Sequence, residues 1–168
     1  MSSKGRILIA DDEDTFLNAM SDLLGNDGYT CACAPDASTA AAMLENEAYD
    51  LLISDIQMPG NGKLEFVRQV PQLCEGLPVI LVTGYPSMGS AIQSVHLPVI
   101  AYLVKPFDLA ELLEQVAVSI RKARVHRTVE TMHRRLRSWD SYLGNEVPGT
   151  SYLFMPLAGV AGVVEGTD

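Results

Sequence analysis

The chain has 168 residues, 48% of them apolar and 20% charged, with a formal net charge of −9. That is enough for one core-burying domain and an appendage. Residues 1–120 carry 5 basic and 16 acidic side chains, residues 121–137 carry 7 basic and 1 acidic, and residues 138–168 carry 4 acidic and no basic ones. The acidic body excludes nucleic-acid binding through bulk charge, so any such role would have to rest on residues 121–137 alone.

Strand-like and helix-like stretches alternate from the start. Arg6–Ala10 reads as a strand. Asp14–Gly25 reads as a helix, with Phe16, Leu17, Met20, Leu23 and Leu24 at helical spacing. Tyr29–Ala34 is a more polar strand, expected near an edge, and Ala37–Glu47 is an alanine-rich helix that Asp36 or Ser38 could cap. Asp50–Ser54 is a short apolar run closed by Asp55 and Pro59-Gly60, as in a strand buried on both faces. Lys63–Leu73 is a helix with Leu64, Phe66, Val67 and Val70 inward. Leu77–Val82, Ser87–Val95 and Val99–Val104 follow as strand, helix and strand.

A long helix starts at Leu109. Leu109, Leu113, Val116, Ile120 and Ala123 form one apolar stripe, expected to dock on the sheet. Val125, Val129, Met132, Leu136 and Trp139 form a second, out of phase with the first and expected to meet a partner helix. This divides the chain into a domain at 1–122, a helical extension at 123–140 that could form a coiled coil, and a tail at 141–168 expected to be poorly ordered. Ile7–Ala10 is too short for a signal peptide, and the Met155–Val164 run is broken by Pro156, Gly159 and Gly162, so no membrane span is expected. Cys31, Cys33 and Cys74 are an odd set without metal-ligand spacing. They predict reduced thiols inside a cell, with Cys31 and Cys33 as small core side chains on one strand face.

Five strands alternating with five helices imply right-handed crossovers and a parallel sheet covered on both faces. The first strand lies where the winding reverses, so Asp11 and Asp12 at its tip should stand beside Asp55. Lys105, after the fifth strand, and Thr83-Gly84, after the fourth, belong to the same rim. Three carboxylates suit a hard cation such as Mg²⁺, which takes oxygen ligands and bridges carboxylates to phosphate. Asp55 is then a carboxylate able to accept a phosphoryl group, with Lys105 and the Thr83 hydroxyl stabilising its charge.

Asp11-Asp12-Glu13, Asp55 with Met58-Pro59-Gly60, Thr83-Gly84 and Lys105-Pro106-Phe107 together resemble the receiver domain of two-component response regulators, over about residues 4–122. The resemblance implies a flavodoxin-like (βα)₅ sandwich with strand order 2-1-3-4-5. It implies Asp55 as the phosphoacceptor of a histidine kinase or phosphotransfer protein. Asp12 and Asp55 would ligate Mg²⁺ directly, Asp11 would act through water, and the Gln57 carbonyl would be a further ligand. Thr83 and Lys105 would contact the phosphoryl group. Tyr102 matches the family's aromatic switch. Such a domain signals in the cytoplasm and is not an enzyme beyond weak self-phosphorylation and dephosphorylation. Gln57 and Tyr85 occupy variable positions over the phosphoryl group, and Leu97-Pro98-Val99 departs from the family's usual glycine-alanine turn.

Other readings stay open at this point. The basic 121–139 helix could make the chain a scaffold or dimerisation protein, and a homodimer through the 109–139 helix is one form of it. An Asp-nucleophile phosphohydrolase would place a second Asp where Gln57 stands. His96, His126 and His133 lack companions at ligand spacing and are read as solvated.

Overall fold

The computed structural model describes residues 3–143, apart from the side chains of residue 63 and of residues 139–143. The element order is β1 (Arg6–Ala10), α1 (Asp14–Asn26), β2 (Thr30–Ala34), α2 (Ala37–Asn46), β3 (Leu51–Asp55), a 3₁₀ turn (Gly62–Leu64), α3 (Glu65–Leu73), β4 (Val79–Thr83), α4 (Met88–Ser94), β5 (Val99–Val104) and α5 (Leu109–Leu143). The strands form one parallel sheet in the order β2-β1-β3-β4-β5, as the alternation of strands and helices and the resemblance together predict.

Every residue of β3 and β4 is buried, because helices cover both faces. Leu8, Ala10, Leu52, Val79 and Leu81 point to one face and pack with Ala40 and Leu44 of α2 and Phe66, Val67 and Val70 of α3. Ile7, Ile9, Leu51, Ile53, Ile80 and Val82 point to the other, against Leu17, Met20 and Leu24 of α1 and Leu112, Val116 and Ile120 of α5. This period-two alternation brings the tips of β1, β3 and β4 out together at one rim.

Among the sequence expectations that shift, three have a clear physical cause. The third helix begins two residues late: Leu64 ends a 3₁₀ turn with φ +62°, and burying its side chain outweighs the cost of that left-handed backbone. On α5 the buried stripe is Leu112, Val116, Ile120 and Ala123, with the expected Leu113 partly buried against the same core, while Leu109 in the first turn stays exposed. Cys31 and Cys33 do share the α1 face of β2, but Cys33 is exposed and Cys31 half-buried, because β2 is an edge strand with one open side.

The chain divides into two compact units, Met1–Thr131 and Met132–Asp168. The described part of the second is helical to Leu143, with Met132 and Leu136 exposed. Val125 and Val129, in the first unit, are exposed as well. Residues 144–168, where the tail is expected, lie outside the described residues. No described helix is long and apolar enough to cross a membrane.

Two of the seven clustered basic residues have a specific role in the first unit. Asp50 precedes β3, at the opposite end of that strand from Asp55. Its Oδ2 accepts from the Arg6 amide at 2.9 Å and its Oδ1 from the Arg127 guanidinium at 2.8 Å, and Arg124 lies 3.6 Å away. Burial pushes this carboxyl up, but the Arg6 amide and the Arg127 and Arg124 guanidiniums outweigh it and hold it below the usual carboxylate range. A depressed carboxyl stabilises the fold above its ordinary value of 3.8, and the contribution is lost as pH falls through the lower folded value. Asp50→Asn is therefore expected to cost about 1–2 kcal/mol at neutral pH. In denaturant unfolding, its difference from the wild type should begin to close as pH drops below 3.8 and vanish below the lower folded value.

Candidate functional site

Asp11, at the end of β1, and Asp55, the last residue of β3, lie on adjacent paired strands, where Ala10 pairs with Ser54. Asp11, Asp12 and Asp55 each offer a carboxylate oxygen, and these atoms lie within 4.8 Å of one another. Asp11 is 0% and Asp55 5% exposed, while Asp12 is open to solvent. Both Asp11 oxygens are engaged: Oδ2 with the Lys105 ammonium at 2.7 Å, Oδ1 with the Glu13 amide at 2.9 Å. Lys105 also lies 3.7 Å from Glu13 and 3.9 Å above the Phe16 ring, which meets Phe107 edge-on. Its charge is thereby fixed between an apolar wall and the acidic hollow.

Asp55 Oδ1 is buried and has no hydrogen-bond partner. Burial pushes the Asp55 carboxyl up, and the Asp11 charge adds to this. The Lys105 ammonium and the Gln57 and Ile56 amides oppose it without cancelling it. The cluster therefore has a deficit of positive charge, and an orphaned carboxylate oxygen points to what would fill it. An oxygen-only donor set of this kind suits a hard divalent cation.

Thr83 is fully buried at the end of β4. Its hydroxyl oxygen accepts from the Tyr85 amide at 3.1 Å, which leaves its proton free to donate, and its carbonyl accepts from the Lys105 amide at 2.7 Å. Thr83 and Lys105 are thus tied to each other at neighbouring strand tips. Gln57 and Tyr85 are both exposed. Tyr102, paired with Leu81 in the sheet, is half-buried against the α2–α3 face, and its hydroxyl meets Ser90 Oγ at 2.9 Å.

The response regulator receiver domain model matches residues 7–117. The chain belongs to the response regulator receiver domain family. A CheY-like receiver domain protein from Methanospirillum hungatei JF-1 superposes on this one with a TM-score of 0.70 at 32% identity, covering 74% of this chain and 99% of that one. The response regulator TrrA from Thermotoga maritima, solved in complex with Mg(2+)-BeF, gives a TM-score of 0.62 at 32% identity over 68% of this chain and 97% of that one. Among curated proteins, FleR of Pseudomonas aeruginosa is 32% identical over 112 residues, 67% of this chain and 24% of its own length. AtoC of Escherichia coli K12 is 29% identical over 141 residues, 83% of this chain and 31% of its own length. This chain spans about a quarter to a third of such relatives.

In this receiver domain one positioning residue escapes sequence reasoning. Asn61 is fully buried, and its side-chain amide donates to the Asp55 carbonyl at 2.8 Å and the Ile56 carbonyl at 3.4 Å. It pins the backbone on which Asp55 stands. The only sequence signal is a polar residue between Gly60 and Gly62. Gly60 itself is required: it has φ +81°, and a Cβ there would meet Ala37 Cβ at 2.9 Å.

Proposed function

We propose that this receiver accepts a phosphoryl group on Asp55 from a histidine kinase or phosphotransfer protein in the cytoplasm, in a Mg²⁺-dependent step. The observation that carries this is the buried, unpartnered Asp55 Oδ1 within a three-carboxylate cluster, one member of which pairs with Lys105. The carboxylates of Asp12 and Asp55 and the Gln57 carbonyl would hold the cation. Asp11 would act through water, since both its oxygens are already engaged. When bound, the cation supplies charge neutralisation between carboxylate and phosphate oxygens.

An Asp55 oxygen attacks phosphorus while the bond from phosphorus to the donor nitrogen breaks, and the electron pair leaves with that nitrogen. Lys105 and the Thr83 hydroxyl then hold the phosphoryl oxygens. Each turnover ends with the group on the protein, so the chain acts as a phosphoacceptor, with only slow self-labelling and hydrolysis of its own. The added charge, about two negative units, draws Thr83 and Lys105 inward, and Tyr102 follows.

We assign the receiver to residues 1–122 and the helical extension to 123–140. The exposed Val125 and Val129 favour a second copy as the extension's partner. If a chain ending at residue 123 forms the same dimer as the full protein in light scattering, that assignment fails.

The test of phosphoryl acceptance is incubation with acetyl phosphate, read by intact mass. One phosphoryl group is expected with Mg²⁺ and none with a chelator or in Asp55→Ala. Tyr85 is exposed and its backbone amide donates to the Thr83 hydroxyl oxygen, and its ring would shield the phosphoryl group from attacking water. Tyr85→Ala should therefore shorten the phospho-Asp55 lifetime, by on the order of tenfold or less. Decay of the labelled mass with time measures this directly.

A further inference from the structure

The helix α4 is attached to the domain in an unusual way. It has seven residues, and the only one buried is Ser94. None of its side chains belongs to either core cluster. Its apolar residues point outward: Met88, Ile92 and, at its C-cap, Val95 are 78%, 60% and 76% exposed, at helical positions i, i+4 and i+7. Apolar burial, which holds the other helices on the sheet, does not hold this one.

Its tie to the sheet is polar. The Ser87 hydroxyl caps the helix by accepting from the Ser90 amide at 3.1 Å. Ser90 Oγ lies within hydrogen-bond distance of the Ser87 carbonyl at 2.9 Å and of the Ser87 hydroxyl at 3.0 Å. It also meets the Tyr102 hydroxyl at 2.9 Å, where either oxygen can be the donor. Among the described residues this is the one side-chain hydrogen bond that joins α4 to a strand.

We infer that Ser90 is a latch: through it Tyr102 holds the first turn of α4 in place, and releasing Tyr102 loosens α4 together with its exposed apolar stripe. The inference rests on the reading of Tyr102 as the aromatic group that moves when Asp55 is phosphorylated. In this account the phosphoryl group controls a partner surface by withdrawing a hydrogen bond from a helix that has little else to hold it. Ser90 is a positioning residue, since it acts only through Tyr102.

Amide hydrogen exchange of peptides spanning residues 88–95 in the full chain tests this. Ser90→Ala and Tyr102→Phe should each speed exchange there by roughly fivefold, the loss of one modest hydrogen bond. The double variant should be no faster than either single one, and Ser90→Thr, which keeps the hydroxyl, should match the wild type. Acetyl phosphate with Mg²⁺ should produce the same rise in the wild type and none in Ser90→Ala. Wild-type exchange in Tyr102→Phe, or a double variant equal to the product of the singles, overturns the latch. A purely local role for Ser90 in the helix cap predicts that product. Intact mass on the same samples separates the two readings: absence of phosphoryl uptake defeats the proposed function, while comparison of the unphosphorylated variants still decides the latch.

Discussion

Asp55→Asn should abolish phosphoryl uptake from acetyl phosphate in Mg²⁺, where the wild type is expected to gain one group per chain. It should also make the metal-free protein more stable. The native carboxylate is buried, faces the Asp11 charge and leaves Oδ1 unpartnered. An amide in its place carries no charge and can donate to Asp11 or Asp12. The gain is expected at about 1–2 kcal/mol at neutral pH. The sign follows from the direction of the shift. The native carboxyl titrates above its ordinary 3.8, so the folded state holds its proton longer than the unfolded state. Wild-type stability therefore falls relative to Asp55→Asn as pH rises from 3.8 through the raised folded value, and the difference is constant beyond it. Mg²⁺ should erase most of the gap, because it neutralises the charge that the asparagine removes. Equal stability of the two proteins across this range would show that the acidic hollow is not under electrostatic strain.

Lys105→Met should have the second largest effect, with the opposite sign on stability. Asp11 is fully buried, and the ammonium 2.7 Å away is its closest charge partner. Removing one member of such a pair leaves a buried charge uncompensated, at a cost of about 3 kcal/mol. Methionine keeps a polarisable contact with the Phe16 ring, so the packing loss is small. Two consequences separate a cation-binding hollow from a merely structural ion pair. Mg²⁺ should rescue the melting temperature of Lys105→Met more than that of the wild type, because a competing cation has gone. Phosphoryl uptake should still fall on the order of a hundredfold, since charge on the transferred group loses its fixed counter-ion. Rescue of stability without loss of uptake would remove Lys105 from the chemistry.

The rim of the sheet was legible in the sequence because each of its residues ends an apolar run. Asp55 closes Leu51–Ser54, Asp11 closes Arg6–Ala10, and Lys105 follows Val99–Val104. Strand tips marked in this way converge once the parallel order is known. What escaped was decided by contacts distant in sequence. Leu64 reads as the first turn of a helix, yet core burial pulls it into a left-handed turn. Asn61 reads as a loop residue, yet it carries the backbone at Asp55. Arg124 and Arg127 belong to a run of seven basic residues that looks uniform in sequence. Only the fold brings these two to Asp50, more than seventy positions away. Ser90 looks like any serine in a short polar helix until Tyr102 from β5 stands beside it.

Borohydride reduction most directly tests the claim that one acidic hollow receives the phosphoryl group. The reagent converts an aspartyl phosphate to homoserine and leaves free carboxylates intact. After acetyl phosphate and Mg²⁺, peptide sequencing by mass should find homoserine at position 55 alone, and nowhere when a chelator replaces the metal. Homoserine at Asp11 or Asp12, or the same yield at Asp55 without a divalent cation, would contradict the account.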